Sequence, residues 1–213
     1  MNVPLTEPSA LLASFTPDAS KKLLADLLND PALRPGVTAH IQTHLASSFP
    51  AYLASISKRA DRATEPLREP EDHREKGIIS IGDLAKACAP FLHDVVRAAR
   101  VPIPGAAKGA FELLREIHAD SEPDYDHVAD GEEERAEFEE AVDGLMVALL
   151  KRMREEGEKN ALDEKWLENL RKDLTKTAKY YQENFLTEGV FSETIVLLEE
   201  WLGISTGSEV EEG

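Results

Sequence analysis

The sequence predicts an all-α protein, an antiparallel helical bundle of four to five core helices with an N-terminal helical appendage. Two observations predict this fold class. Apolar residues recur at intervals of three and four along most of the chain, which is the spacing of one helix face. No segment shows the two-residue alternation and hairpin turns that are typical of strands. Helices connected in this way most often pack as an antiparallel bundle.

The N-terminal part is predicted to be a loose arm followed by a helix. Residues 1–16 contain two prolines and few charges, so we expect a loose arm. A helical segment follows over residues 17–60, because Thr16 can cap a helix in which Pro17 takes the first position. The first helix of this segment ends at "NDPALRPG". Its apolar face consists of Leu23, Leu24, Leu27 and Leu28.

A second helix is predicted over residues 35–60, and a charged linker follows it. Its apolar stripe has spacings of 4, 4, 4, 4 and 3, and Pro50 should kink or split it. Residues 61–77 carry 10 charges and two prolines, a composition that cannot bury a core face. We therefore expect an exposed linker that divides the chain in two. The stripe consists of Val37, Ile41, Leu45, Phe49, Leu53 and Ile56.

The main bundle is predicted over residues 78–203. Ser80, with Asp83 three residues later, is typical of a capped helix start, and Pro90 should bend the helix that follows. The stretch "RVPIPGAAKGAF" predicts a stiff turn and then a helix whose small residues form a smooth face for close packing. Its "GAAKGA" lacks the spacing and the Lys-Ser/Thr pair of a phosphate-binding loop, so it predicts no nucleotide site.

A second acidic linker over residues 119–135 leads to two long amphipathic helices, a short last helix and a disordered acidic tail over residues 204–213. The first long helix carries Phe138, Val142, Leu145, Met146, Leu149, Leu150 and Met153. The second carries Leu167, Leu170, Leu174, Ala178, Tyr181 and Phe185. The last helix, over about residues 192–202, places four apolar residues against the bundle or against a partner. These form the candidate interaction surface: Ile195, Leu198, Trp201 and Leu202.

The charge balance narrows the classes of partner. The formal net charge is −17, from 41 acidic and 24 basic residues. Such a field repels phosphate backbones and anionic lipid head groups, so we expect no nucleic-acid partner and disfavour a membrane partner. The single cysteine, Cys88, excludes an intramolecular disulfide. With no secretory signal and no stretch of about 18 apolar residues, the sequence favours a cytoplasmic protein.

Few residue patterns suggest chemistry. His40 and His44 would share a helix face at a spacing suited to a metal, but the HExxH glutamate is missing and no third ligand stands out. A calcium loop starting at Asp124 would lack the required glycine and the final glutamate. Cys88 lies in an apolar context with no adjacent histidine, as expected of a buried structural thiol. We therefore predict no catalytic residue, no cofactor and no metal site.

Three segments within residues 84–186 carry a family resemblance: "DVVRAARVPIPGAAKGAFELLREIHADSE", "EFEEAVDGLMVALLKRM" and "WLENLRKDLTKTAKYYQENF". In this order they resemble the N-terminal helical bundle of fungal signalling proteins related to the mixed-lineage-kinase-domain-like and HeLo-like families. The resemblance implies a death-signalling adaptor that self-associates and, in some members, perturbs membranes. Residues 1–60 have no counterpart in that pattern, and the charge of −17 opposes attraction to anionic lipid.

These observations favour a non-enzymatic helical protein–protein interaction or signalling adaptor module, which binds a protein partner or itself. Amphipathic helices, charged linkers and the lack of a catalytic pattern support this hypothesis. Two alternatives stay open. One is a membrane-perturbing cell-death effector of the HeLo-like type, and the other is an enzyme or small-ligand binder with a pocket in the bundle.

Overall fold

A computed structural model describes residues 16–68, 80–122, 131–156, 162–185 and 189–204. Over these ranges the protein is helical and contains no strand, which confirms the predicted all-α bundle. The predicted N-terminal arm and acidic tail lie outside the described residues, except for Thr16 and Ile204. The helices are α1 (Pro17–Asn29), α2 (Arg34–Arg68), α3 (Ile81–Ala99), α4 (Ala106–Asp120), α5 (Glu132–Glu155), α6 (Glu164–Phe185) and α7 (Ser192–Leu202).

The chain forms two compact units, Met1–Ser48 and Phe49–Gly213. The predicted division at residues 61–77 is wrong, because α2 continues without a break to Arg68 and its residues from Phe49 onward belong to the second unit. Pro50 does not split the helix either. It lies on the exposed side of α2, so the carbonyl oxygen that its ring leaves without an N–H partner can bond to water.

The last two turns of α2 explain why a linker was predicted from the composition of a segment that is helical. Ala60 and Thr64 are fully buried, whereas most of the charged side chains around them are exposed. The Thr64 hydroxyl donates to the backbone oxygens of Ala60 and Asp61, so this polar group is buried without an unpaired donor. Small side chains can therefore bury a helix face that has almost no large apolar residue. The rest of the predicted linker, residues 69–77, lies outside the described residues.

The small-residue face of α4 packs closely against α2, as the sequence predicted. A methyl group added at Gly109 would lie 2.8 Å from a ring carbon of Phe49 and 2.9 Å from a methyl carbon of Leu53. The neighbouring small residues on this face are fully buried. They are Ala106, Ala107 and Ala110. "GAAKGA" is therefore a packing surface in this structure.

The starts of α3 and α5 meet backbone to backbone through two glycines. A methyl group added at Gly82 would lie 2.7 Å from the Cα atom of Gly131, which is closer than the non-bonded contacts of Cβ atoms in folded proteins. Gly131 also has a φ of 94°, which disfavours every residue with a side chain. Lys86 and Glu134 form an exposed ion pair of 2.8 Å beside this contact. Glycine at both positions therefore sets how closely the two helix starts approach.

The second acidic linker is shorter than predicted, because α4 extends to Asp120 and α5 begins at Glu132. Three glutamates in the first turn of α5 favour that start, since they lie near the positive end of the helix dipole. Most residues of the stripes predicted for the two long helices are confirmed as core. The exceptions are Leu145 and Ala178, which are half-exposed, and Phe185, whose side chain the structure does not describe. Their buried members are Phe138, Val142, Met146, Leu149, Leu150, Met153, Leu167, Leu170, Leu174 and Tyr181.

We expect Gly82→Ala to lower the free energy of unfolding by about 1–3 kcal/mol, because the added methyl meets backbone that has no rotamer to adjust. Urea unfolding followed by circular dichroism measures the change. Gly144→Ala is the matched control, since nothing lies within 4 Å of the new methyl and alanine favours the helix interior. An equal effect of the two substitutions would contradict the close approach of α3 and α5.

Candidate functional site

A buried cluster of polar side chains lies between α4, α5 and α6. Glu139 of α5 accepts a hydrogen bond from Nε2 of His118 on α4, at 2.9 and 3.1 Å from its two oxygens. One turn earlier on α5, the Arg135 guanidinium forms an ion pair with the same carboxylate. His118 and Glu139 are only 5% and 4% exposed, and Arg135 is 1% exposed. The three groups are therefore paired with one another out of contact with bulk water.

Arg135 also holds the C-terminal end of α4 and the last turns of α6. Its Nη1 donates to the backbone oxygen of Ser121 at 2.7 Å and to the Ser121 hydroxyl at 2.9 Å. Its Nη2 donates to the hydroxyl of Tyr181. The Phe191 ring, just before α7, lies 4.9 Å from the His118 ring and covers the cluster from another side. One guanidinium thus links three helices through hydrogen bonds.

The protonation states in the cluster follow from burial and from charge. Burial acts to raise the pKa of Glu139, but the charge and hydrogen bonds of His118 and Arg135 outweigh it and hold the pKa below its ordinary value. Burial raises the pKa of the Tyr181 hydroxyl. Glu139 is therefore ionised and Tyr181 neutral near pH 7. A histidine–carboxylate pair can transfer protons when a substrate reaches it, but this one is enclosed by its own partners.

We expect the stability of the bundle to depend on Glu139 in acid. Because its folded-state pKa lies below the ordinary value of 4.5, ionised Glu139 stabilises the fold above that pH, and the contribution is lost as the pH falls through the folded-state pKa. The unfolding free energy of the wild type should therefore fall more steeply between about pH 5 and about pH 3 than that of Glu139→Gln.

Urea unfolding across this pH range measures the two slopes. Glu140→Gln is the control, because it removes an exposed carboxylate from the same helix and should leave the wild-type slope unchanged. Parallel slopes for the wild type and Glu139→Gln would contradict the assignment.

A second buried carboxylate on α5 holds α7. Asp143 accepts hydrogen bonds from the backbone N–H groups of Glu193 and Thr194, each at 2.9 Å, and from the Thr194 hydroxyl at 2.5 Å. Phe191, which precedes α7, has a φ of 58° and no side chain that could cap the helix. Asp143 therefore supplies, from another helix, the cap that α7 does not provide for itself.

We expect Asp143→Ala to loosen α7 and to cost about 1–2 kcal/mol, because it leaves N–H groups at the start of α7 without an acceptor. The fluorescence of Trp201 reports on α7 if Trp166 is replaced by Phe in every variant. During urea unfolding, the Trp201 signal should change at lower urea in Asp143→Ala than in the reference. Asp143→Asn keeps one acceptor oxygen and should therefore lose less stability than Asp143→Ala. Equal midpoints in all three proteins would contradict the cap.

The predicted interaction surface on α7 needs one correction. Leu198 is fully buried, so it belongs to the core and is not available to a partner. Ile195, Trp201 and Leu202 are half-exposed, and the guanidinium of Arg154 lies 4.7 Å from the centre of the Trp201 ring. The most exposed apolar residue of α7 is Val196, at 57%, which the sequence analysis did not single out.

The other sequence candidates remain apart from the buried cluster. His40 and His44 are both exposed in the first unit, and no group of three metal-ligating side chains occurs in the described ranges. Cys88 is fully buried, as predicted for a structural thiol. His118, by contrast, is not among the residues that the sequence singled out, and the fold places it in the cluster.

The first unit presents an apolar face that its own described residues leave uncovered. We call α1 together with the part of α2 up to Ser48 the N-terminal helix pair. None of the 13 residues of α1 is buried, and Leu23 and Leu24 are 37% and 41% exposed. Leu33, in the turn between the helices, is 47% exposed. In α2 the apolar positions of the pair are half-exposed: Val37, Ile41 and Leu45.

The ends of α1 are nonetheless well defined. The Thr16 hydroxyl accepts the N–H of Ala19 at 3.3 Å, which confirms the predicted cap. At the other end, Nε of Arg34 donates to the backbone oxygen of Leu28 at 2.7 Å, and the Asp30 carboxylate accepts the N–H of Ala32 at 2.8 Å. The helix is therefore held at both ends, while Leu23 and Leu24 are exposed and Leu27 and Leu28 are half-buried.

The N-terminal helix pair also differs from the rest of the chain in charge. Residues 17–48 contain three acidic and three basic side chains and are neutral overall. The remaining residues therefore carry the entire net charge of −17. The six charged residues are Asp18, Lys21, Lys22, Asp26, Asp30 and Arg34.

No protein-family model, curated protein or solved structure matches this chain. The resemblance of residues 84–186 to HeLo-like bundles therefore stays an expectation from the sequence. Among the helices that the structure describes, none has both the length and the apolar composition to cross a membrane.

Proposed function

We propose that this chain is a non-enzymatic helical protein–protein interaction module of the adaptor type, and that the apolar face of the N-terminal helix pair is its binding surface. The observation that carries this proposal is the exposure of α1, in which no residue is buried although its leucines fall on one side. The bundle of the second unit supports such a role as a stable platform. Its buried polar groups are engaged in hydrogen bonds within the chain.

The physical reason is the low intrinsic stability of a short helix. A helix of 13 residues is marginal in water unless its apolar face is buried. Burying a leucine side chain contributes about 1.5–3 kcal/mol, so covering the α1 face would stabilise both the helix and the complex. Capped ends reduce the cost of ordering the helix on binding, since one N–H of its first turn and one carbonyl of its last turn already have side-chain partners.

Site-specific photo-crosslinking in the cells that make the protein tests this proposal. A benzophenone amino acid replaces Leu24 on the apolar face in one variant and Lys22, on the opposite side of α1, in the other. We expect protein adducts from position 24 and few from position 22, because only the apolar face is covered by a partner. If position 24 gave no more protein adducts than position 22, or gave lipid adducts alone, the proposal would be overturned.

A further inference from the structure

We propose that the partner of the N-terminal helix pair is a second copy of this chain, so that two pairs join into a four-helix bundle with two-fold symmetry. This inference rests on the proposed function, because it names the partner of the same apolar face. Three features of the pair carry it: its charge, the width of its apolar stripe and the geometry of identical partners.

Charge determines where two identical copies can meet. Each chain carries a net charge of −17, so contact between the acidic parts of two copies brings like charges together. Residues 17–48 are neutral, and two copies that meet there avoid this repulsion at the contact. A basic partner would gain nothing from the neutral pair and would be attracted to the acidic remainder of the chain instead. The neutral apolar face therefore fits a copy of itself better than it fits a charged partner.

The stripe on α1 is wide enough to need more than one neighbouring helix. Leu23 and Leu24 are adjacent, and Leu27 and Leu28 repeat the pair one turn later, so the apolar arc covers well over a third of the helix. A single facing helix covers a narrower seam, of the kind found in two-stranded coiled coils. A four-helix bundle covers a wider arc because each helix has two neighbours. The α2 stripe of Val37, Ile41 and Leu45 supplies the second type of helix.

A dimer with two-fold symmetry is the simplest assembly in which no binding face is left free. Identical faces that pair about a two-fold axis satisfy each other and leave no free binding face for further growth. Each substitution in α1 then enters the interface twice. A charge placed on the stripe should therefore weaken association more than the same change on the opposite side of the helix.

Sedimentation equilibrium of the full chain tests the dimer, at protein concentrations from about 1 μM to about 200 μM. We expect a monomer–dimer equilibrium whose dissociation constant falls about three- to tenfold when NaCl rises from about 0.05 M to about 0.5 M, because salt screens the repulsion between the acidic parts. A strict monomer in both salts would overturn the proposal. So would an assembly larger than a dimer, or a dimer that salt weakens.

Two variants locate the interface. Leu24→Glu should raise the dissociation constant at least about tenfold, because it places two carboxylates in the symmetric interface. Lys22→Gln changes the net charge by the same amount on the opposite side of α1 and should leave the dissociation constant within about twofold. Circular dichroism checks that both variants keep their helix content. A dimer that Leu24→Glu leaves intact would overturn the proposal.

The crosslinking experiment separates failure of this inference from failure of the proposed function. Adducts of two copies through position 24 support both. Adducts with a different protein only, from a chain that is monomeric in the centrifuge, overturn the symmetric dimer and leave the interaction module standing. Adducts between position 24 and residues 1–15 of the same chain overturn both, because the face is then covered from within.

Discussion

The arrangement of the second unit depends on the burial of Arg135. A guanidinium cannot lose its charge at any ordinary pH, and burying it without partners costs several kcal/mol. Its own helix therefore supplies the anion, Glu139, and the neighbouring helices α4 and α6 supply hydrogen-bond acceptors in Ser121 and Tyr181. Its Nε atom has no hydrogen-bond partner among the described residues, so the two terminal nitrogens make all these contacts. A sliding of α4 or α6 along α5 would take the Ser121 or the Tyr181 acceptor away from the buried guanidinium, whereas an all-apolar core would tolerate it.

Asp143 extends the same principle to α7. Arg135, Glu139 and Asp143 follow one another at intervals of four and form a row of buried charged side chains along α5, beside its apolar stripe. The row contacts α4 and α6 at one end and the start of α7 at the other. α5 thus fixes three other helices by specific hydrogen bonds, while the apolar stripe supplies most of the burial.

Local signals in the sequence were sufficient to predict the helices but not the row of buried charged side chains along α5. Ser80 accepts the N–H of Asp83 as the sequence predicted, and α7 spans the predicted residues, because caps and apolar periodicity act within a few residues. Arg135 and Glu139 stand in an acidic run that is typical of a solvated helix, so their burial depends on His118 and Tyr181, which are distant in sequence. The single available signal was their position beside Phe138 and Val142 on the stripe side of α5.

The two units differ in whether their side chains find partners within the chain. In the second unit the buried polar groups of the row find partners within the chain, and in the first unit Leu23 and Leu24 of α1 are exposed and no residue of that helix is buried. We propose that the bundle is complete in one chain and that the N-terminal helix pair is completed by a second one. Hydrogen exchange measured by mass spectrometry at about 1 μM and about 100 μM protein compares the two units in one sample. We expect peptides from residues 17–29 to exchange rapidly at the lower concentration and to become protected at the higher one. Peptides from residues 132–155 should stay protected at both concentrations. Equal protection of residues 17–29 at the two concentrations would contradict the proposal.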